Sequence, residues 1–212
     1  MKTIKECRLY TFIDSAYLNS RDPARVASEL CDGGSDIIQL RAKDWDKEKI
    51  SQTAVKILKV LETYDVPLVI NDHPEIAREI GASFCHLGQE DFFDAGHTHI
   101  QQLQDPAAPI CWGLSTHSPK QASRAVDASP DYIAIGPVYA TPTKPSAKPV
   151  SLDYVRWARE NVSIPWFAIG GVNLQTIRDV ISAGATRICV VSAILEAPNI
   201  AETCKKFRKF LD

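Results

Sequence analysis

The chain alternates between short apolar runs and longer stretches in which apolar residues recur every three or four positions. Four of the runs share one layout, a turn of small residues leading into a strand-like segment: Gly33-Gly34-Ser35-Asp36-Ile37-Ile38-Gln39-Leu40, Gly81-Ala82-Ser83-Phe84-Cys85-His86-Leu87-Gly88, Ala128-Ser129-Pro130-Asp131-Tyr132-Ile133-Ala134-Ile135-Gly136 and Gly184-Ala185-Thr186-Arg187-Ile188-Cys189-Val190-Val191. Their starts are about fifty residues apart, which is close to two compact βα units rather than one of about 30 residues. A further strand is therefore expected in each interval, and apolar segments stand at 9–13, 66–70, 110–114 and 164–169.

Between these runs the apolar spacing is helical. Asp22-Pro23 offers an N-cap and a first-turn proline ahead of Val26, Leu30 and Cys31. Asp46 precedes Ile50, Ala54, Ile57 and Leu61, and Asn173 precedes Leu174, Ile177 and Ile181. Ser118-Pro119-Lys120-Gln121 is a capping-box pattern ahead of Ala122, Ala125 and Val126. Strict strand-helix alternation predicts a parallel sheet. Eight such units favour a closed (β/α)8 TIM barrel over an open doubly wound sheet, whose glycine-rich first turn does not follow the first run. The 212 residues are expected to form one compact domain, 1–212, near the lower limit of about 200 residues for such barrels.

A barrel of this kind builds its site at the C-terminal ends of the strands, and nearly every polar exception to the apolar strand pattern falls there. Gln39, Arg41 and Lys43 follow the second strand, Asn71 and Asp72 the third, Gln89 and Asp91 the fourth, and Ser115 and His117 the fifth. The sixth is followed by Pro137 to Lys144 with Thr141 and Thr143, the seventh by Gly170-Gly171, and the eighth by Val191 and Ser192. Gln39 and Arg41 are two apart and share a face in extended chain; burying them without partners is costly, which favours a ligand. Asp72 and Asp91 offer hard oxygen ligands for Mg²⁺, an ion usually held by one or two carboxylates plus substrate phosphates. Arg41, Lys43 and Lys144 are cations suited to the remaining phosphate oxygens. Gly171 and the end of the eighth strand suit a second phosphate held on backbone N–H groups.

Each residue also has a plainer reading. Asn71 and Asp72 lie just before His73-Pro74-Glu75, where capping alone would account for either. Asp91 could pair Arg41 in an empty rim network, Thr141, Thr143 and Lys144 could form a proline-stiffened loop, and His86 or His117 could be a satisfied structural histidine. The plain readings jointly require many independent polar choices to coincide on one face.

Composition narrows the class. With 45% hydrophobic residues, a net charge of −2 and no apolar run near the ~20 residues that span a bilayer, neither a membrane nor nucleic acid is an expected partner. The N-terminal residues lack the apolar core of a signal peptide. The six cysteines contain no C-x-x-C pair and read as reduced thiols, so a cytoplasmic location is expected. Lys205-Lys206-Phe207-Arg208-Lys209-Phe210 reads as the solvated face of a closing helix, because Cys204, Phe207 and Leu211 form its apolar stripe.

The motifs Gln39-Leu40-Arg41-Ala42-Lys43, Ile70-Asn71-Asp72, His86-Leu87-Gly88-Gln89-Glu90-Asp91, Gly113-Leu114-Ser115-Thr116-His117, Gly136-Pro137-Val138-Tyr139-Ala140-Thr141-Pro142-Thr143-Lys144 and Ala168-Ile169-Gly170-Gly171-Val172, in this order, resemble the thiamine phosphate synthase family. The resemblance covers essentially the whole barrel. It implies a transferase that condenses 4-amino-5-hydroxymethyl-2-methylpyrimidine diphosphate with 4-methyl-5-(2-phosphoethyl)thiazole, or its carboxylated tautomer, giving thiamine phosphate and diphosphate by a dissociative, Mg²⁺-assisted substitution. It further implies one Mg²⁺ on Asp72 and Asp91, bound with the substrate diphosphate; leaving-group contacts from Arg41, Lys43, Asn71 and Lys144; and pyrimidine contacts from Gln39 and Ser115. Arg41, Lys43, Lys144 and Ser115 are the catalytic set so implied. Thr141, Thr143, Gly171, Val191 and Ser192 would hold the thiazole phosphate. Ala42, Ser83-Phe84-Cys85 and Ser151 depart from the commonest family pattern, and none removes a charged group from the site. The partners implied are small molecules, with a homo-oligomer left open. Two rivals remain on the sequence: a thiazole tautomerase of the same superfamily with His117 as acid-base residue, and a non-catalytic barrel that binds thiamine precursors. A generic phosphosugar isomerase fits less well, since it needs one phosphate site and a clear base at a strand end.

Overall fold

The computed structural model describes residues 2–144 and 147–212. Residues 1, 145 and 146 of the domain expected over 1–212 lie outside the described residues. Eight parallel strands close into a barrel in sequence order, β1 (Leu9–Asp14), β2 (Ile37–Arg41), β3 (Leu68–Asn71), β4 (Phe84–Leu87), β5 (Cys111–Thr116), β6 (Tyr132–Ile135), β7 (Trp166–Ala168) and β8 (Ile188–Val190). Closure pairs Leu9 with Ile188 and Thr11 with Val190. The intervening helices are α1 (Pro23–Asp32), α2 (Lys47–Tyr64), α3 (Pro74–Ile80), α4 (Gln89–Asp94), α5 (Pro119–Asp127), α6 (Ser151–Asn161) and α7 (Ile177–Ser182), followed after β8 by α8 (Ser192–Leu195) and α9 (Ile200–Arg208). Among the described residues no helix is long and apolar enough to cross a membrane.

Strands β3 and β7 each start two residues later than the apolar pattern alone suggests, and proline is the reason. Pro67 and Pro165 have no N–H to give to a ladder; each offers only its carbonyl, to Ile38 N at 3.2 Å and to Ile133 N at 3.1 Å. Pairing proper therefore begins at Leu68 and Trp166. The caps follow the chemistry of their side chains: Asp22 accepts from Ala24 N, Asp46 from Lys49 N and Ser118 from Gln121 N. Gln121 does not close a reciprocal box on Ser118, because its Oε1 takes His117 N at 2.7 Å instead. Asn173 caps the turn that leads into α7, accepting from Gln175 N and Thr176 N.

Side chains alternate along each strand between two apolar layers. Leu9, Ile38, Leu40, Leu68, Ile70, Trp112, Leu114, Ile133, Ile135, Ile188 and Val190 point outward to the helices. Tyr10, Phe12, Ile37, Val69, Phe84, Tyr132, Phe167 and Cys189 fill the barrel interior. The rings of Tyr10, Tyr132 and Phe167 meet edge to face with centroids 5.3 to 6.0 Å apart, a favoured geometry. This aromatic plug fills the barrel interior beneath a cavity lined largely from the C-terminal ends of the strands. The cysteines are unpaired, and burial pushes the Cys7, Cys31 and Cys204 thiols up to about 12.

Candidate functional site

A cavity at the C-terminal mouth of the barrel is lined by Gln39, Arg41, Asn71, Ser115, Thr141, Thr143, Lys144, Gly171, Val191 and Ser192. Lys43, Asp72 and Asp91 stand at the rim outside that lining. The structure thus brings ten of the sequence candidates to one space, from six different strand exits.

At the exit of β2, Arg41 Nη1 donates to Asp14 Oδ2 at 2.6 Å. Asp14, the last residue of β1, is 1% exposed as a side chain and Arg41 20%. The other Asp14 oxygen accepts from Ala16 N at 3.0 Å. The arginine is thereby held by a fixed acid on a neighbouring strand, not by Asp91 as one plain reading of the rim had it. Asp14 was missed in the sequence although the same signal, a polar residue ending an apolar strand, marks it. Two residues on, Lys43 Nζ reaches Asp72 Oδ2 at 2.8 Å, and Asn71 Nδ2 donates to the same oxygen at 2.7 Å. Lys43 is well exposed, and an exposed pair of this kind contributes only ~0–1 kcal/mol, so it can be exchanged for contacts to a ligand at little cost.

Asn71 and Asp72 do not cap α3. The cap position is His73, with no side-chain cap hydrogen bond. Asp72 sits in the left-handed region at φ +64° while its N–H donates to His86 O at 2.9 Å; such a conformation in a non-glycine residue costs of order 1–3 kcal/mol. The strained turn throws the carboxylate up to the rim. Asp91 is exposed in the first turn of α4, with its carboxylate folded back over Gly88, where any Cβ would lie 2.5 Å from Asp91 Oδ2. Among the described residues no three His, Cys, Asp or Glu side chains gather as a metal cage. A pair of rim carboxylates on adjacent strand exits fits the alternative, an Mg²⁺ whose other ligands come from substrate phosphate and water.

The floor of the cavity is polar. His86 Nε2 lies 3.0 Å from Ser115 Oγ, and His86 Nδ1 lies 3.1 Å from Tyr132 OH. Burial depresses the His86 imidazole to about 4, with Asp72 acting weakly the other way, so it is neutral at ordinary pH. Gln39 Nε2 donates to Tyr10 OH at 2.7 Å. Neither tyrosine stands out in sequence, because an aromatic within a strand reads as core.

On the opposite wall, Thr143 Oγ1 lies 3.0 Å from Tyr17 OH and Thr143 N donates to Thr141 Oγ1 at 3.3 Å. His117 Nδ1 is 2.6 Å from Gly136 O, and Lys144 Nζ is 3.4 Å from His117 Nε2. A carbonyl only accepts, so the imidazole proton sits on Nδ1 and the lysine approaches the remaining lone pair. Gly170 and Gly171 have φ of +97° and +66°. A Cβ on Gly171 would lie 2.6 Å from Tyr139 Cβ and 2.8 Å from Ala140 O. Glycine here lets the loop after β7 lie against the loop after β6, and Val191 and Ser192 complete that side of the cavity.

The chain is similar to known proteins along most of its length. The family model described as thiamine monophosphate synthase matches residues 9–194. A thiamine-phosphate synthase of Thermus thermophilus is 42% identical over 180 residues, 84% of each chain. One of Halalkalibacterium halodurans is 34% identical over 210 residues, 99% of this chain and 97% of that one. Among solved structures, the thiamine phosphate pyrophosphorylase of Pyrococcus furiosus superposes with a TM-score of 0.84 at 24% identity, covering 98% of this chain and 96% of that chain.

Proposed function

Since the chain belongs to the thiamine monophosphate synthase family and is a transferase of that activity, we propose that the cavity at the barrel mouth binds the pyrimidine diphosphate and the thiazole phosphate together and joins them there. The observation that supports this reading is the convergence on one space of two chemically different surfaces, each suited to a phosphate. Arg41 and Asn71, with Lys43 at the rim, form a donor-rich wall beside two carboxylates, and Lys144 reaches in from the facing loop, where Thr141 and Thr143 with Gly171, Val191 and Ser192 offer hydroxyls and main chain.

The reaction forms a bond from the thiazole nitrogen to the exocyclic pyrimidine methylene and breaks that carbon's bond to the diphosphate oxygen. Charge therefore builds on the departing diphosphate, and preorganised cations aimed at it are the largest catalytic contribution such a site can make. Arg41 is preorganised by Asp14. Lys43 leaves its exposed pair with Asp72 as phosphate arrives, and Lys144 approaches from the loop after β6. Gln39 and Ser115 orient the aminopyrimidine from the floor, and the aromatic plug beneath excludes water from the cationic methylene. One Mg²⁺, held by Asp72 and Asp91 together with diphosphate oxygens, would neutralise leaving-group charge when bound. The unpaired thiols suit a reducing compartment, and we place the enzyme in the cytoplasm.

The test is diphosphate release by the purified protein given the pyrimidine diphosphate, with and without thiazole phosphate and Mg²⁺, while thiamine phosphate is followed. Release and product that require all three are expected, and Asp91→Ala is expected to lose most of the Mg²⁺-dependent turnover while staying folded. Interconversion of thiazole tautomers without any release would instead make His117 the working residue and the chain a tautomerase.

A further inference from the structure

Five side chains cross the barrel interior as one hydrogen-bonded row. It runs from Gln39 Nε2 to Tyr10 OH at 2.7 Å, to Tyr132 OH at 3.0 Å, to His86 Nδ1 at 3.1 Å, and from His86 Nε2 to Ser115 Oγ at 3.0 Å. Each hydroxyl has one hydrogen to give, and a neutral imidazole has one N–H. Proton counting therefore assigns the row a direction. Tyr10 already accepts from the Gln39 amide, so its own hydrogen is used only if it donates to Tyr132. Tyr132 must then donate to His86 Nδ1, which leaves the imidazole proton on Nε2, donated to Ser115. The Ser115 hydrogen is left over, and Ser115 lines the cavity. In the opposite direction Tyr10 would take two donors and bury its own hydrogen without an acceptor, at a cost of about 1–3 kcal/mol.

The packing is built around the central phenol. Tyr132 is wholly buried, and its ring is flanked by Tyr10, Phe84 and Phe167. Gly113 on the adjacent strand makes room for it, since a Cβ there would lie 2.1 Å from Tyr132 Cζ. A side chain at 113 would push the phenol out of the row.

We propose that Tyr132 is a positioning residue: it locks His86 as the Nε2–H tautomer and so leaves the Ser115 hydrogen free to be donated to the substrate, matched to an anionic oxygen or a ring nitrogen. The kinetic half of this rests on the synthase reading; the tautomer half stands without it.

The tautomer is read by long-range ¹H–¹⁵N correlation on uniformly ¹⁵N-labelled, substrate-free protein. The expected spectrum has the His86 proton on Nε2, and a proton on Nδ1 overturns the proposal with no variant required. Tyr132→Phe, checked for fold by circular dichroism, is expected to release the lock, so that the Nδ1–H form becomes populated. Its kcat is expected to fall about tenfold, equivalent to about 1.4 kcal/mol of barrel-imposed positioning. In a Ser115→Ala background the same change should cost less than about twofold, because coupled residues are not additive. Equal losses in both backgrounds would mean that Tyr132 acts through general packing, which overturns it. A wild-type protein with His86 on Nε2–H and no synthase turnover would sink the function while supporting the tautomer.

Discussion

A neutral buried histidine beneath the cavity has a consequence for stability as well as for hydrogen bonding. His86 is held near 4 by burial in the fold and titrates at about 6.5 when exposed. Between those values the unfolded chain takes up a proton that the folded one refuses, so stability is full above about 6.5 and falls as pH drops toward about 4. The loss across that window amounts to roughly 3 kcal/mol at most. Urea midpoints measured from pH 7 to pH 4 should show it, and His86→Gln should flatten that part of the profile. A slope unchanged in the variant would assign the loss to other groups. His117 differs from His86 in its surroundings, since its ring meets a rim carbonyl and a lysine and lines the cavity.

The loops after β6 and β7 work as a single element. Val138 N donates to Ile169 O at 2.8 Å and Tyr139 N to Gly170 O at 3.0 Å, which stitches the two main chains together beside the surface of hydroxyls and main chain. Thr176 Oγ1 further ties Gly171 O at 3.1 Å to the start of α7. Gly171→Ala places a methyl against Tyr139 and the Ala140 carbonyl at a positive φ, so the two loops must part. The expected outcome is a loss of about 1–3 kcal/mol in stability and a KM for thiazole phosphate raised about tenfold, with that for the pyrimidine diphosphate changed far less. Initial rates with each substrate varied in turn measure it. A parallel rise in both would contradict the division of the cavity into two surfaces.

At the scale of the whole molecule, the end of the barrel opposite the site is tied by one acid. Asp36, 1% exposed, accepts from Arg8 N at 2.9 Å and Leu9 N at 3.0 Å, pairs Lys2 Nζ at 2.6 Å, and meets Arg208 of α9. It joins the N-terminus, the entry to β2 and the last helix. Burial alone would raise its carboxyl, but the Lys2 and main-chain donors outweigh burial and hold it below the usual carboxylate range. Its stabilisation is therefore complete above about 3.9 and lost as pH falls below, a window separate from that of His86. Asp36→Ala leaves Arg8 N and Leu9 N without their acceptor, while the exposed Lys2 turns to water and Arg208 keeps Asp212, and is expected to cost about 2–3 kcal/mol in chemical unfolding while the synthase KM values of the folded fraction stay unchanged. A loss under about 1 kcal/mol would show that the closure does not depend on this acid.

Strand number, strand order and the end of the barrel at which the candidate polar residues gather were all readable from the chain, because each depends on local pattern. A turn of small residues before an apolar run sets a strand, helical spacing sets the connection to the next one, and a parallel barrel puts every strand exit on one side. Gln39, Arg41, Asn71, Asp72, Asp91 and Ser115 were legible for that reason, as polar residues ending apolar segments. Tertiary structure decided the partners. That Arg41 is held by Asp14, that Asp72 is lifted by a left-handed turn instead of capping α3, and that Tyr10 and Tyr132 carry hydrogen bonds through the core all depend on atoms brought together from distant strands. Periodicity reports which way a side chain faces; it holds no record of which side chain faces it, and a proton's position in a buried row is set by that second fact.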